Sequence, residues 1–264
     1  MRILILGGTT EASALSALLA ADARFAPTLS LAGRTRSPRL PAIPCRIGGF
    51  GGAAGLQRWL IEQNIAAVID ATHPYAARIS VNAVAAAAGA NVPLGSLLRP
   101  SWRPVAGDDW REVAAPFDAA AAIGAAPRRV FLSVGRLELP AFRAAPQHHY
   151  LARTIDPIDD AQLPPDLTVI HGRGPFAIDD EMQLLQQHAI TVVVSKNSGG
   201  TATYAKIAAA RRLGLPVVMI ARPDKPAGHA LTDAEDAMRW LVMLHGAHSG
   251  SSSLRGVSCS LRGV

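Results

Sequence analysis

Short unbroken apolar runs alternate along the chain with longer segments whose apolar residues recur at helical spacing. "RILIL" (2–6) leads into a predicted helix near 10–21. "TLSLAG" (28–33) ends in an arginine-rich turn. "CRIG" (45–48) precedes a glycine-rich loop and a helix near 53–63. "AAVIDA" (66–71) runs into a helix beginning at Pro74, and "VPLGSLL" (92–98) closes the set. Strands apolar on both faces belong to parallel sheets covered by helices.

"RPSWRPVAGDDW" (99–110) breaks the pattern with prolines and a glycine and reads as a crossing between domains. Strands are then expected at 129–135, 150–154, 167–172, 190–197 and 216–222, with helices near 177–188, 200–212 and 233–244. The alanine-rich stretches 83–90 and 119–126 are good helix formers. The expected architecture is α/β: two Rossmann-like parallel-sheet domains, residues 1–100 and 101–245, with an interdomain cleft. Residues 246–264, which repeat "SLRGV", are expected to form a disordered tail.

Composition narrows the function classes. Of 264 residues, 49% are hydrophobic and 17% charged, the balance of a packed globular protein. No apolar run reaches the length of a membrane span and the N-terminus does not read as a signal peptide, so a cytoplasmic protein without a membrane partner is expected. Cys45 and Cys259 have no metal-type spacing; neither a metal site nor a disulfide is expected. The net charge is +6, carried mostly by scattered arginines; Lys196, Lys206 and Lys225 are the only lysines. Without a basic run interleaved with aromatics, a polyanionic small molecule fits better than nucleic acid.

Candidate chemistry gathers in the turns that follow the strands. In "LGGTTEA" (6–12), Gly7 and Gly8 let the backbone approach a phosphate at the N-terminus of the next helix. Thr9 or Thr10 would cap that helix. Glu11 would repel a phosphate; it belongs in the helix's first turn or accepts a sugar hydroxyl. After the second strand, where NAD-binding domains usually carry an acid for the ribose hydroxyls, this chain has Gly33, Arg34 and Thr35. That chemistry suits the 2′-phosphate of NADPH. Gly49, Phe50 and Gly51 form a loop with room for a flat or phosphorylated ligand. Asp70–Tyr75 places Thr72, His73 and Tyr75 at the same sheet edge, with Pro74 at the first helical position.

The second half offers "SVGR" with Arg136, "HGRGPF" with Arg173 and Gly174, and "SKNSGGTATYAK". The last places Lys196, Asn197 and Ser198 at a strand end, then Gly199, Gly200 and a helix opening with Thr201, an anion cradle beside a cation. Lys196 would contact a carboxylate or donate a proton. His148–His149 lacks ligand-type partners and reads as structural.

Together "ILGGTTEA", "AGRT", "GGFGG", "IDATHPYAARIS", "LRPSW", "GRGPF" and "VSKNSGGTATYAKIAAAR" resemble the precorrin-6A reductase family of cobalamin biosynthesis, in order from residue 2 to about 222. The resemblance implies NADPH-dependent reduction of one double bond of a ring-contracted, metal-free tetrapyrrole to precorrin-6B, without flavin or metal. With the turns read above, cofactor contacts are expected from residues 7–11, 33–35, 49–51, Thr72 and His73, and substrate contacts from Arg136, Arg173, Gly174 and residues 196–201. Proton donors would be drawn from His73, Tyr75 and Lys196, with the protein a monomer or weak homo-oligomer. Two alternatives are a cobalt-precorrin-6A reductase of the anaerobic route and, from a different class, a nucleotide-sensing protein without turnover.

Overall fold

A computed structural model describes residues 1–33, 41–158 and 162–253, with side chains to residue 247. Arg34 and Thr35 lie outside the described residues. The chain divides into two compact units. The first comprises Met1–Arg99 together with the chain from Lys225 onward; the second is Pro100–Asp224.

In the first unit the chain forms β1 (Arg2–Leu6), α1 (Thr10–Ala20), β2 (Ala26–Leu31), β3 (Cys45–Ile47), α2 (Gly52–Glu62), β4 (Ala67–Asp70), α3 (Ala77–Ala90) and β5 (Leu94–Leu97). It then builds the second unit: β6 (Trp110–Val113), α4 (Pro116–Ala122), β7 (Arg129–Ser133), a 3₁₀ helix (Leu139–Ala144), β8 (His149–Thr154), β9 (Leu167–His171), α5 (Ile178–Gln187), β10 (Val192–Lys196), α6 (Ala205–Arg212) and β11 (Val217–Ile220). On its return to the first unit it adds β12 (His229–Leu231) and α7 (Ala234–Ser253).

The first sheet is parallel throughout, in the order β3-β2-β1-β4-β5-β12. Alternation along β1 sorts its side chains between two cores. Ile3 and Ile5 face Leu15 and Leu19 of α1 and Trp240 and Leu241 of α7. Leu4 and Leu6 face Leu56 and Leu60 of α2 and Ala83 and Ala86 of α3. This is the nucleotide-binding strand order 3-2-1-4-5-6, with its switch point between β1 and β4.

The second sheet is also parallel, ordered β6-β11-β10-β7-β8-β9. Phe131, Val193 and Met219 pack with Ile207 of α6 and Leu185 of α5. Its strand order reverses between β7 and β10, so the turns after those strands flank its own switch point.

Four sequence expectations are corrected. Residues 225–245, assigned to the second domain, supply the sixth strand and a covering helix of the first. Their apolar residues Leu231, Ala237, Trp240 and Leu241 are buried in that core. Residues 246–253, expected in a disordered tail, continue α7; residues 254–264 lie outside the described residues. Pro74 is not the first residue of a helix: Ala76 N donates to His73 O at 2.8 Å in a turn, and α3 begins at Ala77. The helix expected from residue 200 begins at Ala205, after a turn in which Tyr204 N donates to Thr201 O. Among the described residues no helix is long and apolar enough to cross a membrane.

Candidate functional site

At the carboxyl edge of the first sheet, the turns after β1 and β4 are tied together. Thr9 caps α1, accepting from Ala12 N at 3.2 Å, and its hydroxyl donates to Ala71 O at 2.8 Å. Gly7 packs so tightly on β2 that an added Cβ would stand 2.4 Å from Leu29 Cδ1. Gly8 has φ +120° and nothing within 4 Å of a Cβ position. Here the backbone is bare, in a conformation side chains rarely adopt, and opens toward the start of α1. Thr10 is exposed and donates to Glu11 Oε2, and Arg99 Nη1 lies 3.1 Å from the same oxygen. Burial pushes the Glu11 carboxyl up, but the helix backbone and Arg99 outweigh it and hold it below its ordinary range.

Asp70 ends β4 with 1% of its surface exposed. Its Oδ1 accepts from Thr72 N at 3.0 Å and Thr72 Oγ1 at 2.6 Å, and its Oδ2 from Ser80 Oγ. Lys225 Nζ lies 3.4 Å from Oδ2 and donates to Thr72 Oγ1 at 2.9 Å. The acid in this turn is therefore its anchor. His73 and Tyr75 are half-buried, with ring centroids 5.6 Å apart. His73 Nδ1 accepts from Tyr75 N at 3.3 Å, which leaves the proton of the neutral ring on Nε2.

The glycine loop after β3 is shaped by Arg46. Its guanidinium donates to Ser30 Oγ, Gly48 O and Gly49 O, and stacks 3.7 Å from the Phe50 ring centroid. Phe50 also meets Trp59 edge-on, so its ring is part of the core under α2. Gly51 is the N-cap of α2. Gly33 closes β2 with φ +72°.

At the carboxyl edge of the second sheet, Lys196 Nζ lies 3.0 Å from Glu138 Oε1. The other carboxylate oxygen of Glu138 is buried without a hydrogen-bond partner among the described residues. Asn197 accepts from Trp102 N at 2.8 Å and donates to Trp102 O at 3.0 Å, while Trp102 Nε1 donates to Gly200 O at 2.7 Å. A Cβ on Gly199 would stand 2.2 Å from Pro100 O. The "KNSGG" motif is thus folded against "RPSW". Ser198 is half-buried, and Thr201, Arg136 and Arg173 are exposed. Gly174 backs onto Ala202 O. Arg153 pairs with Glu181 at 2.6 Å and stacks 4.0 Å from the centroid of Phe176, fixing the end of "GRGPF".

A family profile described as "Precorrin-6x reductase CbiJ/CobK" matches residues 2–242. The chain belongs to this family. A Sinorhizobium relative named precorrin-6A reductase is 53% identical over 86% of each chain. A solved structure titled "CobK precorrin-6A reductase" is 48% identical, covers 92% of this chain and 97% of its own, and superposes with a TM-score of 0.88. A Salmonella typhimurium relative named cobalt-precorrin-6A reductase is 31% identical, over 91% of this chain and 97% of its own.

For a precorrin-6x reductase the two edges offer different chemistry. The first brings together residues 7–11, Gly33, the 49–51 loop, Thr72, His73 and Tyr75, all within one unit. The bare turn at Gly7–Gly8, with the start of α1 behind it, fits a dinucleotide diphosphate. The second edge carries cations: Lys196, Arg136 and Arg173. Sequence reading missed Arg46, Lys225, Arg99, Asn197's partner Trp102, and Glu138. All but Arg46, which shapes its own loop, act on a residue distant along the chain, and only the "LRPSW" motif signalled any of them.

Proposed function

We propose that this precorrin-6x reductase reduces one double bond of metal-free precorrin-6A to precorrin-6B with NADPH. The observation that carries the cofactor half is the strand order β3-β2-β1-β4-β5-β12 with a bare glycine turn at its switch point. The arginine and hydroxyls after β2, in place of an acid, favour the phosphorylated cofactor. The higher identity to the relative named for precorrin-6A than to the one named for its cobalt form supports the metal-free substrate.

The nicotinamide, when bound, supplies the hydride. The chain's own residues position and protonate. The turn 7–11 holds the diphosphate, and His73 sits beside it with its proton on Nε2. Arg136, Arg173 and Lys196 match the acetate and propionate carboxylates of the substrate. The proton for the adjacent carbon comes from His73, Tyr75 or Lys196.

An absorbance assay with precorrin-6A tests the reading by following the cofactor and macrocycle bands together. Both change with NADPH, and much more slowly with NADH. Arg34→Ala lowers the NADPH-over-NADH preference in kcat/KM by about 10- to 100-fold, the loss of one charge-assisted bond. Cofactor oxidation without a macrocycle change, or an unaltered preference, would overturn it.

A further inference from the structure

Two carboxylates stand at the edge of the first unit where the dinucleotide phosphates are placed. Glu11 lies in the first turn of α1 and Asp70 at the end of β4. Bare, either would repel a polyanion and offset the attraction of the helix N-terminus. Glu11 is ionised at neutral pH, since its carboxyl is held below the ordinary range. Each is met by a cation from outside the strand–turn–helix that carries it. Arg99 Nη1 reaches Glu11 Oε2 at 3.1 Å. Lys225 Nζ reaches Asp70 Oδ2 at 3.4 Å and Thr72 Oγ1 at 2.9 Å. Arg99 is the last residue of the chain's first passage through this unit, and Lys225 is the first of its return. Arg99, Glu11, Thr9, Thr72 and Pro74 line one recess beside the switch point.

We propose that Arg99 and Lys225 are charge-compensating positioning residues for the dinucleotide. They neutralise Glu11 and Asp70, so that the turn presents its backbone N–H groups to phosphate without two opposing negative charges. Neither acts as a phosphate ligand. Lys225 also holds Thr72, and through it the turn that carries His73. The inference rests on the NADPH reading of this edge and adds which residues make the edge receptive.

The full-length chain is titrated with NADPH, followed by cofactor fluorescence, with thermal melts confirming folding. Arg99→Gln weakens binding about fivefold, the scale of one uncompensated charge near an anion at a partly screened surface. The defect shrinks as ionic strength rises, which a packing defect would not do. Arg99→Lys retains most of the affinity. The pair Glu11→Gln with Arg99→Gln, which removes both charges, recovers most of the loss. Glu11→Gln alone, which removes the negative charge of Glu11 and keeps Arg99, tightens binding and serves as the test should Arg99→Gln not fold. Weaker binding by Glu11→Gln, or a double variant no better than Arg99→Gln, overturns the inference while leaving the cofactor reading intact. A wild-type chain that does not bind NADPH overturns both.

Discussion

Asp70 shows how a charge is kept at a strand end almost out of water. Thr72, Ser80 and Lys225 all meet its two oxygens. Asp70→Asn breaks the ion pair with Lys225, whose side chain is 6% exposed. It is expected to cost about 3–5 kcal/mol, read as a lower urea midpoint, because breaking a buried ion pair from one side is strongly destabilising. His148 makes a second prediction. It is buried, and its Nδ1 accepts from Arg128 N at 3.2 Å. Burial, and to a lesser degree Arg128, holds its pKa below the ordinary value, against an opposing backbone hydrogen bond. The unfolded chain therefore takes up this proton first. The stability from neutral His148 is fully present above about pH 6.5 and is lost as pH falls through the folded-state value. Urea midpoints between about pH 7 and 5 should fall more steeply for the wild type than for His148→Gln. At this scale the capping role of Thr9 was legible, because it follows from Ala12 three residues on, and His148 read as structural because it lacks ligand-type partners in the sequence. The anchoring of Asp70 was not, because its lysine arrives 155 positions later.

Among the elements, the central strands β1, β4, β7, β10 and β11 stand in the sequence as apolar runs. Each is covered on both faces, so its interior positions are apolar and polar residues such as Asp70 and Lys196 come at its ends. The edge strands β6 and β12 do not stand out. They are four and three residues long, carry Arg111, Glu112 and His229, and are held by one neighbour each. The start of α6 was misplaced because "SGGTATY" reads as a helix opening. The chain instead turns there to receive Trp102, whose indole donates to Gly200 O. Gly199→Ala tests this packing. Its Cβ would stand 2.2 Å from Pro100 O and 2.3 Å from Arg222 Nη2, at φ +68°. The expected cost is about 2–4 kcal/mol in thermal or urea unfolding, since the backbone it strikes cannot swing aside.

For the whole molecule, the first unit is not contiguous in sequence. The α1 side of its sheet is closed by α7, whose Trp240 and Leu241 are buried with Leu15 and Leu19. Ending the chain after Asp224 should abolish NADPH binding. It removes β12, half the helical cover on one face, and Lys225, and it exposes Ile3, Ile5 and Leu19. Loss of nucleotide binding together with dye binding to the exposed apolar surface would confirm this; a truncated chain that still binds NADPH would refute it.

The alternation of apolar runs and helical segments was enough to determine the α/β class, the parallel sheets and the glycine turn after β1. Those features depend on whether each side chain is solvated, a property of residues near one another in the chain. The family motifs marked the same turns. Only the tertiary structure decided that residues 229–231 complete the first sheet, that Trp102 occupies the "KNSGG" turn, and that Arg99 and Lys225 meet Glu11 and Asp70. These contacts join residues 88 or more positions apart, and their free energy exists only once the chain has brought them together.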